Sequence, residues 1–334
     1  MFKFITDHTK ISFGAEKYTV ACIGKLPICN EFIKINVSSR EIVEFYEWMK
    51  GGVSHVLRSE NISLDKDGLV GQPQYFFLTG VNENNNLIGI IQKSKDKIGR
   101  DYPITILVDV KNSEYKSELA PIIYQEFLFD IYKILDTLKT DITINDFSKK
   151  VEEIGIGKYI ERGKESGYLN NEFFKGTGLS EFVNLVLPGH TTASAGGFFS
   201  CLHRHLVTIS RRTSTKVDWG LRLPLSLSGK VNNNFVAAFW LKLCVSILKD
   251  DIANLNYSWS SDSECPKLII FFKKLPSSYF YCLLSSDESE GLLIDILSES
   301  KLYNNHDEIK FNDCSLDDFI KEFSYANILQ DIPV

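Results

Sequence analysis

The residues best suited to chemistry lie in two short stretches. In "SCLHRHL", Cys201, His203 and His205 alternate, so on a β-strand all three would face one way and could offer sulfur and imidazole to a metal. Zinc needs a fourth ligand, usually at other spacings, and only six histidines are present, so ordinary strand residues are the simpler account and no metal is expected. Just before them, "LPGHTTASAGGFF" at 187–199 is rich in small residues. No Gly-Lys-Ser/Thr follows its glycines, as a phosphate-cradling loop requires, and no Gly-x-Ser-x-Gly marks a nucleophile elbow. It reads as an irregular loop; a hydrolase using it with His203 and His205 is the enzymatic alternative. Arg211, Arg212 and Lys216 beyond it form a small basic patch of the kind that meets acidic or phosphorylated partners, or simply a solvated loop.

The second stretch is "SKDKIGRDYPITILVDV", residues 94–110. Gly99 can adopt φ > 0 and reverse the chain, which would let Asp96 pair with Arg100 across a structural turn. Alternatively, a fixed carboxylate and guanidinium are offered to a substrate or partner at a strand edge. The residues alone leave both readings open.

Elements must position these groups. The β-branched run 104–110, opened by Pro103, predicts a buried strand, and "YTVACIGK" at 18–25 predicts another. "SSREIVEFYEWMKGGVSHVL" predicts an amphipathic helix with Ile42, Phe45, Met49, Val53 and Val56 on one face, a capping box of Ser38 and Glu41, and an end or bend at Gly51-Gly52. "YFFLTG" and "LIGIIQK" flank the Asn-rich "VNENNN" as a hairpin, neighbouring the Pro103 strand. A long helix is expected over 119–138 with Pro121 in its first turn, then a polar, glycine-dotted boundary at about 140–190. Beyond it come a strand at 217–227, a buried helix at 235–248, a strand in "KLIIFFKK", a helix in "SSYFYCLLS" and a last helix opened by Ser315. Interleaved helices and strands favour an α/β layered fold with a mixed sheet.

The chain has 334 residues, 44% hydrophobic and 24% charged, enough for one large core or two modest ones. A net charge of −6 argues against nucleic acid as a partner. The first residues, "MFKFITDHTKISFG", lack the apolar core of an export signal, and "FVAAFWLKLCVSIL" is too short for a membrane span and contains Lys242, so no membrane insertion is expected. Seven scattered cysteines without a Cys-x-x-Cys pair fit reduced thiols in the cytoplasm.

The spacing of Ser94, Asp96, Gly99, Arg100, Tyr102 and Pro103 resembles the Ser-x-Asp-x-x-Gly-Arg-x-aromatic-Pro signature of the TagF family, also called ImpM, of bacterial type VI secretion accessory proteins. "GKLPICNEF" at 24–32 is similar to the family's Gly-Lys-Leu-Pro-x-x-Gly-Asp-Phe segment, which matches Lys25, Leu26, Pro27 and Phe32. Trp48 falls where a tryptophan follows in the next helix, and "QPQYFFL" resembles the family's Pro-x-aromatic-x-Phe strand. Asn30 and Glu31 replace Gly-Asp, keeping the acid one methylene longer, and "PQYFF" lacks an arginine common there. The match is specific over about 18–110 and looser beyond, so this resembles a divergent, enlarged member. The resemblance implies a three-layer α/β/α sandwich with a C-terminal α/β extension, divided as 1–140, 141–190 and 191–334. It also implies a non-catalytic, cofactor-free, cytoplasmic repressor of type VI secretion that binds a forkhead-associated scaffold; the matched loops are expected to lie on one rim and to form the partner surface or its scaffold. A structural assembly subunit of the same machine is the alternative.

Overall fold

The computed structural model describes residues 18–58, 70–80, 85–111, 116–140, 142–159, 172–187, 189, 195–212, 217–229, 231–248, 255–260, 266–280, 282, 292–301 and 313–325. They form an α/β fold in two compact units that interleave along the chain. The first draws on Met1–Glu114, Tyr124–Arg162 and Leu275–Glu288, the second on Tyr115–Ile123, Gly163–Lys274 and Ser289–Val334. This partition does not follow the consecutive stretches 1–140, 141–190 and 191–334.

The first unit is organised by strands β1 (Val20–Lys25), β2 (Phe32–Ile35), β3 (Val70–Thr79), β4 (Asn85–Lys93) and β5 (Ile104–Lys111). Their order is β2-β1-β5-β4-β3 and these pairings are antiparallel, with Ile106 of β5 opposite both Cys22 and Ile90. The predicted neighbourhood of β3, β4 and β5 is therefore present, while hairpin residues 81–84 lie outside the described residues. Consecutive residues 86–92 of β4 are all buried, and since strand side chains alternate, both faces of the sheet are covered. Helices α1 (Arg40–Arg58), α2 (Gln125–Asp136) and α3 (Ile144–Glu152) pack on these strands.

Ile42, Phe45, Met49 and Val53 are buried along α1 as the periodicity predicts; the side chain of Val56 lies outside the described residues. Two details of that helix differ from expectation. Its first turn is capped by Ser39, whose Oγ accepts from the Ile42 amide at 3.3 Å, rather than by Ser38. Gly51 and Gly52 do not end it: the helix runs on to Arg58, and a Cβ on Gly52 would stand 2.2 Å from the Cβ of Phe280, so the glycine is required by close packing. The helix expected over 119–138 is also broken, into Ala120–Ile123 and α2, with Tyr124 between them in a turn.

In the second unit β6 (Gly220–Pro224), β7 (Asn256–Trp259), β8 (Lys267–Phe271) and β9 (Leu293–Asp295) lie in the order β7-β8-β6-β9. The mixed character arises here, because β9 runs parallel to β6. Helices α4 (Leu179–Val186), α5 (Gly196–Arg212), α6 (Asn233–Leu248), α7 (Ile296–Ser300) and α8 (Leu316–Tyr325) belong to the same unit. The predicted buried helix is α6, and its Trp240 is enclosed by Phe182, Phe198 and Phe199 while its indole N–H donates to the Pro224 carbonyl at 2.8 Å. Ser315 caps α8 as expected, accepting from the Asp318 amide at 3.2 Å. Within "SSYFYCLLS", Ser277–Tyr279 forms a single 3-10 turn and most of the remainder lies outside the described residues. "SCLHRHL" is helical, inside α5, not a strand: its buried residues Phe198, Phe199, Leu202, Leu206 and Ile209 recur at helical rather than alternating spacing. Among the described residues, no helix is long and apolar enough to cross a membrane.

Candidate functional site

Residues 94–103 join β4 to β5 in a turn organised around Asp96. The Asp96 amide donates to the Arg100 carbonyl at 3.1 Å, the Gly99 amide to the Asp96 carbonyl at 2.9 Å and the Tyr102 amide to the Ser94 carbonyl at 3.0 Å. Gly99 has φ 88°, in the left-handed region, with nothing within 4 Å of where a Cβ would stand, so glycine is needed for backbone shape and not for space.

The carboxylate of Asp96 is fully enclosed by donors. Its Oδ1 accepts from the amides of Ile98 (3.2 Å) and Arg100 (2.8 Å), and its Oδ2 meets Arg100 Nε at 2.6 Å and Lys25 Nζ at 3.1 Å. Burial alone would push this carboxyl up; the amide and guanidinium of Arg100 and the ammonium of Lys25 outweigh it and hold it well below the usual carboxylate range. Asp96 is therefore an anion at neutral pH whose acceptor capacity is used inside the protein.

The same groups stitch the turn to the 24–32 segment. Arg100 Nη2 donates to the Asn30 carbonyl at 2.8 Å, the Lys97 amide to the Cys29 carbonyl at 3.0 Å, and Ser94 Oγ to the Lys25 carbonyl at 2.8 Å. Gly24 permits the approach beneath them, since a Cβ there would stand 2.1 Å from the Pro103 carbonyl oxygen. Leu26 and Pro103 are buried and Pro27 half-buried, so these signature positions anchor the two loops. Phe32 meets Tyr102 edge-on at 5.0 Å and Tyr46 at 5.9 Å. Burial, with smaller effects of Tyr46 and Glu47, pushes the Tyr102 phenol up.

Glu31 stands exposed on the rim of this assembly. Trp48 belongs to another cluster: its described ring contacts are with Phe45 and Phe280. What the pattern of polar residues did not reveal is Ile98, 63% exposed at the tip of the turn, next to exposed Lys97 and an Arg100 side chain that is 57% exposed. An apolar residue between Lys97 and Gly99 in an otherwise polar turn was the available signal. The carbonyls of Cys29 and Asn30 are backbone partners that no side-chain pattern announces.

The other candidates separate. His203 is buried edge-on against Phe323, and burial pushes its imidazole down to about 4, so it is a neutral core residue. Cys201 and His205 share a different face of α5. Arg211 and Arg212 end that helix exposed, while Lys216, Pro188 and the stretch 190–194, which includes His190, lie outside the described residues; Gly196–Phe199 of the expected loop are already the start of α5.

Residues 21–154 match the family model described as "TagF N-terminal domain, Type VI secretion system-associated". No curated protein sequence matches the chain. Among solved structures, the crystal structure of PA0076 from Pseudomonas aeruginosa PAO1 aligns with 81% of this chain and 96% of its own, at 12% identity and a TM-score of 0.42. The family match spans β1 to α3 and contains the whole Asp96 turn with its 24–32 partner segment. Over residues 21–154 the chain is therefore similar to the TagF N-terminal domain, which is type VI secretion system-associated.

Proposed function

We propose that this protein is a non-catalytic, cytoplasmic repressor of type VI secretion, and that it acts by binding a forkhead-associated scaffold protein through the rim made by the Asp96 turn and the 24–32 segment. The observation that carries this reading is the way the turn spends its charges. Asp96 is closed off by its own donors, which suits it to hold a shape and not to exchange protons with a substrate. The shape it holds projects Ile98 and the outer part of Arg100 into solvent, an apolar tip beside a guanidinium. Such a pair on a rigid, preorganised loop is the composition of a protein-binding anchor.

The test is capture of a purified forkhead-associated scaffold by the full chain, wild type beside Ile98→Asp and Arg100→Ala, with thermal melts as a folding control. Ile98 touches little of the protein, so Ile98→Asp should leave stability within about 0.5 kcal/mol and abolish capture. Equal capture by folded wild type and both variants would keep the partner and remove the rim from its surface. Failure of the wild type to capture the scaffold would sink the repressor reading, and recovery within the assembled secretion apparatus instead would favour a structural subunit.

A further inference from the structure

Because α5 is a helix, Cys201 and His205 stand one turn apart on the same face. Glu299 of α7 comes to meet them. Its Oε1 lies 2.9 Å from His205 Nε2, and the thiol sulfur, an imidazole nitrogen and the carboxylate oxygen all lie within 4.8 Å of one another. Neighbouring chain fixes each of these groups. The edge of Trp219 packs on the His205 ring at 5.6 Å. Asp295, which ends β9, caps α7 by accepting from the Ser298 amide at 3.0 Å and pairs with Arg222 of β6 at 3.6 Å, so Glu299 is presented from a strand-anchored helix.

We propose that Cys201, His205 and Glu299 form a zinc-binding site that staples α7 to α5, with the fourth position left to water or an external ligand. Sulfur, nitrogen and oxygen from one residue each is a donor set that zinc accepts, and three protein ligands make an open tetrahedral site. In such a site sulfur and nitrogen ligand atoms stand about 3.5 Å apart, so the set has to close by roughly 1 Å. The side chains of His205 and Glu299 are 15% and 27% exposed and Cys201 is 1% exposed, which gives the ion a path in from the carboxylate side toward the thiol.

Binding exchanges the His205–Glu299 hydrogen bond for two metal bonds: the neutral imidazole keeps its one proton on the ring nitrogen that does not ligate, by tautomer shift to Nδ1 where Nε2 is the ligand, and the thiol proton is released to solvent. Burial, reinforced by Glu299, pushes that thiol up to about 12, so without a cation it is a neutral and unreactive group. A dication beside it supplies the opposite charge that ionises it. The other chemistry open to a Cys-His-Glu set, nucleophilic attack, is opposed by its placement: Cys201 lies mid-helix, where amides are committed to the helical ladder and cannot form an oxyanion hole.

Cobalt(II) titrated into the reduced full-length chain is the probe. One ion per chain should bind with a thiolate-to-cobalt charge-transfer band, and zinc should displace it. His205→Gln and Glu299→Gln, both on the open side and expected to fold, should each weaken zinc binding by about 10- to 100-fold or more. Cys201→Ser should lose the band. Absence of a thiolate band in the wild type overturns the proposal. So does a band that survives Cys201→Ser, or zinc affinity unmoved by His205→Gln, because the ion would then sit elsewhere or nowhere.

Discussion

Replacing Asp96 by alanine removes the acceptor that four donors share, and the structure sets what that should cost. The amides of Ile98 and Arg100 lose hydrogen bonds worth about 1 kcal/mol each. Lys25, with a side chain only 15% exposed, loses a charged partner worth about 1.5 kcal/mol. The pairing with Arg100 adds no more than about 0.5 kcal/mol, because that side chain is 57% exposed and its charge is screened by water. The expected loss is about 3 to 4 kcal/mol at pH 7, read as a lower urea midpoint by circular dichroism. Hydrogen exchange at the Arg100 amide should accelerate in the same variant, locating the loss at the turn. The effect carries a sign in pH. The Asp96 carboxyl sits lower in the folded protein than its ordinary value of 3.8, so its contribution is fully present above that value and disappears as pH falls below it. Wild type and Asp96→Ala should therefore converge in stability on acidification below about pH 4. A loss under about 1 kcal/mol at pH 7, or a difference unchanged down to pH 2, would refute the view that this carboxylate holds the turn.

Other outcomes follow from neighbouring features. Gly99→Ala should cost about 1 to 2 kcal/mol by thermal melt, from backbone strain alone since the space is open, whereas Gly24→Ala adds a clash with the Pro103 carbonyl and should cost at least about 2 kcal/mol more. Asp109 is the converse of Asp96: burial first, and then the nearby Glu41, push its carboxyl up, against hydrogen bonds from Ser39 and Asn85. Its ionisation therefore opposes folding as pH rises above 3.8, so Asp109→Asn should be the more stable protein at pH 7 and match wild type at low pH in chemical denaturation across that range.

What the sequence discloses here depends on how local the cause is. The β-branched run of β5 and the helical period of α1 are visible because each is decided within a few residues, and the reversal at Gly99 is visible for the same reason. The pairing of Asp96 with Arg100 is four residues apart and was foreseen; its pairing with Lys25, and Arg100's with the Asn30 carbonyl, were not, since they depend on β1 lying against β5. Gly51-Gly52 misled because a glycine pair looks like punctuation until Phe280 is seen filling the space beside it. "SCLHRHL" misled because three alternating polar residues suggest a strand when read alone. The apolar residues around them, from Phe198 to Ile209, keep a helical period, and that longer window decides the element.

The placement of Phe280 bears on how this chain is made. It is fully buried in the first unit, over Gly52 and edge-on to Trp48, yet it follows the strands of that unit by well over a hundred residues. A ribosome adding about 5 to 20 residues per second would present β1 to β5 many seconds before the segment that covers α1 emerges. During that interval an apolar face of α1 waits for its cover, open to chaperones and to other nascent chains. A fragment cut at the edge of the family match, residue 154, would keep that face open permanently, so expression should aim at the whole chain or restore 275–288 in trans.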